Sequence, residues 1–272
     1  MLVVASTLAL IVVALLVLVS PRHRAFYLRW TDPGGTLDAN AIVRAVRGTP
    51  STAAIATRRQ VLVPDAEGLK VPMSDEPPFR LPADGVPAGW ELREFAGPAE
   101  VELVRGERGL AVRLRAVRAS FALHRDLAVS LDEFPVLAWS WKITRLPTGG
   151  DVRESRRDDQ AAQVYVVFPR WPSPRTQSDV VGYLWDTTAP VGTALPSPKA
   201  PNVRVIVVES GPARLGSWQR QRRNVAADYQ ALFHRRPPRV GTIALMIDAN
   251  DTGSTAEATI GDLMFERGTQ MK

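Results

Sequence analysis

The sequence predicts a mainly β protein: an antiparallel β-sandwich of jelly-roll type with one amphipathic helix, plus an N-terminal transmembrane helix. Three observations lead to this prediction. Short apolar runs separated by turns fill the region from about residue 77 to residue 268. Within that region, one segment has apolar residues at helical spacing instead. The first twenty residues contain no charged side chain, and about 20 apolar residues are enough to cross a bilayer as a helix.

The apolar segment 1–20 is predicted to anchor the protein in a membrane as a single-pass helix. A basic cluster follows it, formed by Arg22, His23, Arg24 and Arg29. Because no basic residue precedes the segment and no A-x-A motif closes it, an uncleaved anchor is favoured over a cleavable signal peptide. The arginines favour a cytoplasmic position for the rest of the chain. A basic region before the given start would favour the opposite side, so both orientations stay open.

Residues 21–76 are predicted to form a linker or stalk between the anchor and a sandwich domain at 77–268. Proline and glycine are frequent around this boundary, since residues 63–90 contain six prolines and three glycines. Such residues interrupt regular secondary structure. We therefore expect the folded domain to begin at about residue 77.

The strands of the domain, about nine in all, are predicted from apolar alternation and from short apolar runs. In FPVLAWSWKITRLP, residues 134–147, one face of the strand carries Leu137, Trp139, Trp141 and Ile143. This pattern predicts a half-buried strand with an aromatic inner face, and it assigns both tryptophans to the core. Runs such as AAQVYVVF and VGTIALMIDA are almost entirely apolar, as in the central strands of a sandwich.

One segment, GSWQRQRRNVAADYQALFHRRPP, predicts the helix. The residues at helical spacing are Trp218, Arg222, Val225, Tyr229, Leu232 and Phe233. Ser217 is suitable as an N-cap, and Pro237 and Pro238 would end the helix. We expect a helix of about 17 residues, within the usual range, lying across an edge or a face of the sheets.

Composition excludes several classes of function. The chain has no cysteine, which excludes disulfides, thiol nucleophiles and cysteine-based zinc sites. Its net charge of +6 comes mainly from arginines that are scattered among acidic residues, so a solvated basic surface is favoured and no nucleic-acid partner is expected. Three histidines are too few and too scattered for a histidine-based metal centre. The sequence contains no G-x-S-x-G, P-loop or H-E-x-x-H motif.

A series of motifs occurs in a specific order: PVLAWSWKITRLPTGGDVRESRRDDQAAQVYVVF, GYLWD, VVESG, SWQRQRRNVAADYQALF and GTIALMIDANDTGSTAEATIGDLMF. Together they resemble a bacterial family known as domain of unknown function 3047, over roughly residues 85–267. The resemblance implies a β-sandwich similar to carbohydrate-binding modules in an exported or membrane-associated protein. We therefore expect a location at the bacterial inner membrane, with the sandwich in the periplasm as the favoured orientation.

The pattern of the family corresponds to fourteen positions of this chain: Trp139, Trp141, Gly150, Asp151, Asp158, Asp159, Trp185, Trp218, Asn224, Asp228, Tyr229, Asp248, Thr252 and Asp262. The chain departs from the family at one acidic turn. Asn250 and Asp251 stand where the family usually has Asp followed by Asn. A ligand role that requires a carboxylate at position 250 is therefore in doubt.

Two acidic clusters are candidate sites. Asp248, Asn250 and Asp251 lie in DANDTG, and they offer several oxygen ligands beside a glycine, as calcium prefers. Calcium is therefore a possible cofactor here. However, the position at which an EF-hand loop carries its bidentate glutamate is Thr259. Asx-turns that cap the end of a strand explain the same residues without a metal.

The second cluster is Asp158 and Asp159, which are predicted to begin a strand. Strand alternation would direct their side chains to opposite faces, so that at most one faces the core. A buried aspartate needs a partner, and the candidates are Arg153, Arg156, Arg222 and Arg223. The alternative is that one aspartate binds sugar hydroxyls or a cation.

Aromatic residues complete the set of candidate ligand-binding residues. Trp171 and Trp185 lie in or beside loops rich in proline and aspartate, where exposed rings would stack on sugars. With them we predict Asp158, Asp159 and Arg153 as ligand-binding residues. Core or loop packing is the competing interpretation for each tryptophan.

The function that we predict is a membrane-anchored, non-catalytic β-sandwich module that binds a glycan or a cell-envelope polymer. One alternative is a glycan-processing hydrolase, in which Asp158 or Asp159 would act together with Glu209 as the two carboxylates. Another alternative is a structural scaffold that binds a second envelope protein. A hydrolase needs two carboxylates in a wet cleft, whereas a binding module needs polar groups beside an apolar surface.

Overall fold

The computed structural model describes residues 62–170 and 178–268. The strands before residue 170 are β1 (Gly68–Lys70), β2 (Ala83–Asp84), β3 (Glu91–Ala96), β4 (Glu100–Arg105), β5 (Leu110–Val117), β6 (Ser120–Val129), β7 (Val136–Arg145) and β8 (Ala162–Phe168). Those after residue 178 are β9 (Asp179–Asp186), β10 (Ala194–Ser197), β11 (Ala200–Ser210), β12 (Gln219–Asn224), β13 (Val240–Asp248) and β14 (Thr255–Glu266). One helix, α1, covers Val225–Phe233.

The strands form two seven-stranded sheets. Sheet 1 has the order β12-β7-β14-β5-β4-β2, and β1 pairs with β14. Sheet 2 has the order β10-β11-β9-β8-β13-β6-β3. The prediction of a mainly β protein with two sheets and one helix is confirmed within the described residues.

The core between the sheets is aromatic at its centre. Trp139 and Trp141 of β7 lie with their ring centroids 5.4 Å apart in an edge-to-face arrangement. Trp139 contacts Tyr183 of β9 at 5.3 Å, and Trp141 contacts Trp185 of β9 at 6.0 Å. All four side chains are buried. The predicted aromatic inner face of β7 is confirmed, because alternate residues of this strand point toward sheet 2.

The sheets are not entirely antiparallel, which corrects the predicted class. β11 pairs with β9 in the parallel direction, with Val203 opposite Val180. Parallel neighbours need a crossover connection of a dozen or more residues. The chain between the two strands provides this crossover and contains β10, which then pairs with β11 as the edge of sheet 2.

Only the second half of the segment that was predicted to be helical forms a helix. Gln219–Asn224 form β12 at the edge of sheet 1, antiparallel to β7, and the helix begins at Val225. Asn224 is the N-cap instead of Ser217, and its side chain accepts a hydrogen bond from the backbone N–H of Ala227 at 2.9 Å. The helix ends at Phe233, before the two prolines, because His234 takes the left-handed conformation with φ 55°.

The physical reason for this difference is pairing with a distant strand. Six residues of β12 pair along β7, and such pairing satisfies backbone groups that a surface helix would satisfy locally. Two arginines of β12 also bind acidic residues: Arg220 contacts Glu107 at 2.9 Å, and Arg222 contacts Glu266 at 2.5 Å. The helical spacing of Trp218 and Arg222 was therefore misleading.

Part of the predicted linker belongs to the sandwich. β1 extends sheet 1 beside β14, and the side chains of Leu69, Val71 and Met73 are buried. The folded domain therefore begins before residue 77. The predicted anchor at 1–20 lies outside the described residues. Within the two ranges that the structure describes, no helix combines the length and apolar character that spanning a membrane requires.

Candidate functional site

The second acidic cluster, Asp158 and Asp159, lies in a loop rather than in a strand. β8 begins at Ala162, and Asp158 and Asp159 precede it. Both side chains are buried, with 8% and 0% of the residue exposed. The prediction that they begin a strand is wrong, so strand alternation does not determine the directions of their side chains.

Asp159 joins the two acidic clusters into one site. Its carboxylate accepts hydrogen bonds from the backbone N–H of Asp251 at 3.1 Å, and from the N–H and the hydroxyl of Thr252, each at 2.6 Å. The backbone N–H of Asp248 donates to the carbonyl of Gln160 at 3.0 Å. The loop before β8 and the turn after β13 are therefore in direct contact.

Arginine does not provide the partners that the sequence analysis expected for this cluster. Among the described residues, neither Asp158 nor Asp159 forms an ion pair with an arginine. Arg153 instead binds Asp151 through two nitrogens, at 2.8 and 2.6 Å. The predicted salt bridge between the second cluster and an arginine is therefore wrong.

A cavity opens beside the joined clusters, on the face of sheet 2 that points away from sheet 1. Its empty volume is about 360 Å³, including space that is continuous with solvent. Since this figure includes open solvent, the enclosed part is smaller and suits a small group such as a hydroxyl or an ammonium. The apolar part of the lining consists of Val152, Ala200, Val205 and Met246. The polar part consists of Asp158, Gln160, Gln163, Tyr165, Ser197, Lys199 and Asp248.

Gly182 lets the Tyr165 ring lie across β9. These two residues are paired across β8 and β9, and Val205 of β11 is the next neighbour. A Cβ atom at position 182 would lie 2.5 Å from the Tyr165 ring and 3.1 Å from Val205. Only glycine leaves room for a ring in this position, so Gly182 shapes the floor of the cavity.

Gln163 presents an amide donor without a partner. The Tyr165 hydroxyl donates to Oε1 of Gln163, which orients the side-chain amide. The Nε2 atom is buried and has no hydrogen-bond partner in the described part of the chain, although only 1% of the residue is exposed. Buried donors of this kind are rare in native proteins and point to a missing partner such as a ligand or water.

The cation at the site is Lys199, which follows β10. Its ammonium group contacts the carboxylate of Asp251, and the side chains are 5% and 16% exposed. Burial raises the pKa of Asp158 to about 6, while the charge of Lys199 and a hydrogen bond from Gln160 partly offset this effect. Burial, followed by the charge of Asp159, also raises the pKa of Asp248 well above its ordinary value.

The predicted calcium ligands lie at the edge of this site. The backbone N–H of Asn250 lies 3.5 Å from Oδ1 of Asp248, and Nδ2 of Asn250 lies 3.3 Å from Oδ1 of Asp251. These contacts are those expected for Asx-type turn chemistry. The described ranges contain no group of three or more acidic or histidine side chains arranged to hold a metal ion. Calcium binding at Asp248, Asn250 and Asp251 stays a prediction.

Two further predicted site residues, Trp185 and Glu209, lie away from the cavity. Trp185 is fully buried in the core and donates its indole N–H to the carbonyl of Gly211 at 3.1 Å, so its ring is not exposed in a loop. Glu209 accepts from Arg214 at 2.7 Å and from Gln221 at 3.1 Å, and it does not line the cavity with the aspartates. Trp171 lies outside the described residues.

Sequence reasoning missed several residues of the cavity. Gln163 and Tyr165 carried a usable signal, because a glutamine within the apolar run AAQVYVVF is a polar group that must find a partner. Lys199 carried no comparable signal. It stands in a turn after an edge strand, and its place beside Asp251 depends on the crossover between β9 and β11.

The profile of a protein family described as "Protein of unknown function (DUF3047)" matches residues 88–264 of the chain. This range contains both acidic clusters and every residue that lines the cavity. No curated protein matches the sequence.

Among solved structures, the chain is similar to the family 11 carbohydrate-binding module of a Clostridium thermocellum cellulase, with 7% identity and a TM-score of 0.37 over 66% of this chain and 88% of that one. It is also similar to the xyloglucanase domain of NopAA from Sinorhizobium fredii, with 10% identity and a TM-score of 0.37 over 69% and 96%. A cellulase derived from Cel12A of Rhodothermus marinus gives 12% identity and a TM-score of 0.37 over 67% and 97%.

Proposed function

This chain belongs to the DUF3047 family, and we propose that its β-sandwich is a non-catalytic module that binds a glycan or another hydroxyl-rich polymer of the cell envelope. The proposed binding site is the cavity beside Asp158, on the outer face of sheet 2. One observation carries the proposal: a buried amide donor, Nε2 of Gln163, has no partner within the described residues and lines a cavity that has both polar and apolar walls.

The chemistry of a sugar ring matches this lining. A hydroxyl group both donates and accepts hydrogen bonds, so one ring can accept from Gln163 and donate to the carboxylate of Asp158. Pockets that combine an apolar floor with a few convergent polar groups are typical of small-ligand sites.

The proposed location is the bacterial inner membrane, with the module held by the N-terminal segment. The support is the uncharged stretch at residues 1–20, which has the length of a membrane-spanning helix. We propose the periplasmic orientation because a binding partner in the envelope would be reached from there. Protease digestion of intact spheroplasts tests this placement: degradation of the module is expected, and protection would show that it is cytoplasmic.

The proposal is tested by a glycan array probed with the full chain, in a detergent without a sugar headgroup and with or without calcium. We expect binding to at least one oligosaccharide class and about tenfold weaker binding for Gln163→Met, which removes the amide donor at similar volume. Gln230→Met on the exposed surface of α1 is the control and should bind as the unsubstituted protein does. Absence of binding with and without calcium would disprove the proposal.

A second candidate is glycan hydrolysis, because Asp158 and Asp248 line the same cavity and both have raised pKa values. A glycosidase needs one protonated and one ionised carboxyl group on either side of the scissile bond. Release of reducing ends from a bound polymer would establish this activity. If it does, both Asp158→Asn and Asp248→Asn should abolish it, whereas Gln163→Met should weaken binding.

A further inference from the structure

We propose that the cavity selects glycans that carry a free primary amine, that is, hexosamines whose amino group is not acylated. This inference rests on the proposed glycan-binding function and specifies its ligand. The geometry that carries it is the pairing of charges at the cavity, together with the unpartnered amide of Gln163.

The cavity is lined mainly by acidic rather than basic groups, although the protein is basic. The chain has a net charge of +6 and 34 lysine and arginine residues, yet none of the arginines that the structure describes lines the cavity. Its lining contains two aspartates, Asp158 and Asp248, and one cation, Lys199. Asp159 and Asp251 lie directly behind them. A ligand therefore meets an excess of acidic groups.

Most of these charged groups already have partners. Lys199 forms an ion pair with Asp251. Asp159 accepts three hydrogen bonds from Asp251 and Thr252. Asp248 is fully buried and interacts with Asp159 through a side-chain hydrogen bond, and these two effects favour its neutral form. The cation and three of the four carboxyl groups are therefore not free for a ligand.

Asp158 is the exception. Its hydrogen-bond partner among the described residues is the neutral amide of Gln160, at 3.1 Å, and it forms no ion pair there. The residue retains 8% exposure at the cavity. A largely buried carboxylate without its own cation is unfavourable, and a ligand that supplies a cation relieves this cost.

A primary ammonium group suits Asp158 better than other groups found on sugars. It carries a positive charge and three donors, and hydrogen bonds between ionised partners are roughly twice as strong as neutral ones. Acylation removes the charge and adds volume in a small cavity. A uronate would place a second carboxylate beside Asp158. The amide of Gln163, which also lines the cavity, remains free to bind a ring hydroxyl.

The preference should depend on pH. The titratable and charged groups around Asp158 are Lys199 before β11, Asp248 and Asp251 at the end of β13, and Asp159 and Tyr165 at β8. Because burial raises the pKa of Asp158 to about 6, protonation below that pH removes the charge that attracts an amine. Amine selectivity is therefore expected near pH 6.5, where both Asp158 and the weakly basic amine of an amino sugar carry charge, and lost at pH 5.

The test compares four tetrasaccharides by calorimetry with the full chain in the same detergent: glucosamine, N-acetylglucosamine, glucose and galacturonic acid oligomers. Spermidine serves as an amine without a sugar. We expect the glucosamine tetramer to bind at least about tenfold more tightly than the others at pH 6.5. Equal binding of the glucosamine and glucose tetramers would overturn the amine preference but keep the glycan function.

The remaining outcomes are also decisive. Binding of none of the tetrasaccharides would disprove the glycan function itself. Binding of spermidine as tight as that of the glucosamine tetramer would overturn the assignment to a sugar.

Asp158→Asn should bind the glucosamine tetramer about as tightly as the glucose tetramer. The thermal unfolding midpoint checks that this variant is folded. Glu154→Gln removes an exposed carboxylate from the same loop, where it pairs with Arg157, and should leave the preference unchanged. A preference that persists in Asp158→Asn would contradict the proposal.

Discussion

Thr252 and Asp159 are joined by two hydrogen bonds of 2.6 Å, one from the backbone N–H and one from the hydroxyl of Thr252. The two residues are 93 positions apart in sequence, so this contact fixes the turn after β13 against the loop before β8. Asp158 and Asp248 stand on either side of this contact and reach the cavity together. The shape of the site therefore depends on a residue that does not line it.

Removal of the Asp159 carboxylate should destabilise the protein. Asp159→Ala leaves three partly buried donors without this acceptor, and we expect a loss of about 3 kcal/mol in the free energy of unfolding, measured by urea denaturation. Thr252→Val removes one of the three bonds and should cost about 1 kcal/mol. Equal costs for the two variants would contradict the role of Asp159 as the common acceptor.

The stability of the protein should fall as the pH rises through a range set by the pKa of Asp158. Its pKa rises from an ordinary value of 3.8 to about 6 on folding, so the folded state binds the proton more tightly. The contribution of Asp158 is therefore most favourable below pH 4, decreases as the pH rises from about 4 to 6, and is constant above that range. A shift of this size corresponds to roughly 3 kcal/mol.

The measurement is the difference in free energy of unfolding between the unsubstituted protein and Asp158→Asn, taken at pH 4 and at pH 7.5. Since asparagine does not titrate, the variant should gain stability relative to the unsubstituted protein at the higher pH. Glu154→Gln, which changes an exposed carboxylate in the same loop, should show no comparable difference. A constant difference for Asp158→Asn across this pH range would refute the prediction.

A methyl group at position 182 should displace the Tyr165 ring. The added Cβ would lie 2.5 Å from the ring, so Gly182→Ala should cost about 1–3 kcal/mol of stability and weaken ligand binding. Tyr165→Ala removes the obstacle, and Gly182→Ala should then cost much less in that background. Additive effects in this double-mutant cycle, followed by thermal unfolding, would show that the two residues are not coupled.

The cap of α1 should be sensitive at Asn224 and not at Ser217. Asn224→Ala removes the acceptor for the N–H of Ala227, which typically costs about 1 kcal/mol, whereas Asn224→Asp keeps an acceptor and should cost little. Ser217→Ala, at the position that helical spacing suggested, should change the free energy of unfolding by less than about 0.5 kcal/mol. A larger loss for Ser217→Ala than for Asn224→Ala would contradict the observed start of the helix.

The parts of the fold that could be predicted from the sequence are those determined by local periodicity. Alternation in β7 assigned Trp139 and Trp141 to the core because a strand directs successive side chains to opposite faces. The start of α1 could not be predicted in this way. Gln219–Asn224 have the spacing of a helix, but they pair with β7, about eighty residues earlier in the chain.

The candidate site could also be predicted only in part from the sequence. The two acidic clusters were recognised as polar groups at the ends of apolar runs, but their contact depends on the pairing of β8 with β13, which a single sequence does not reveal. The loop position of Asp158 and Asp159 was missed because β8 begins three residues after Asp159. Gln163 could have been found as a polar residue in an apolar strand, while Lys199 could not.

The parallel pairing of β9 and β11 has a consequence for folding kinetics. The crossover between them carries Lys199, so Lys199 reaches Asp251 only after two distant segments of sheet 2 have closed on each other. Contacts of this kind form slowly, because the chain loses loop entropy before it gains the pairing. The ion pair between Lys199 and Asp251 should therefore form late in folding, and the cavity should become able to bind a ligand only when the sheet is complete.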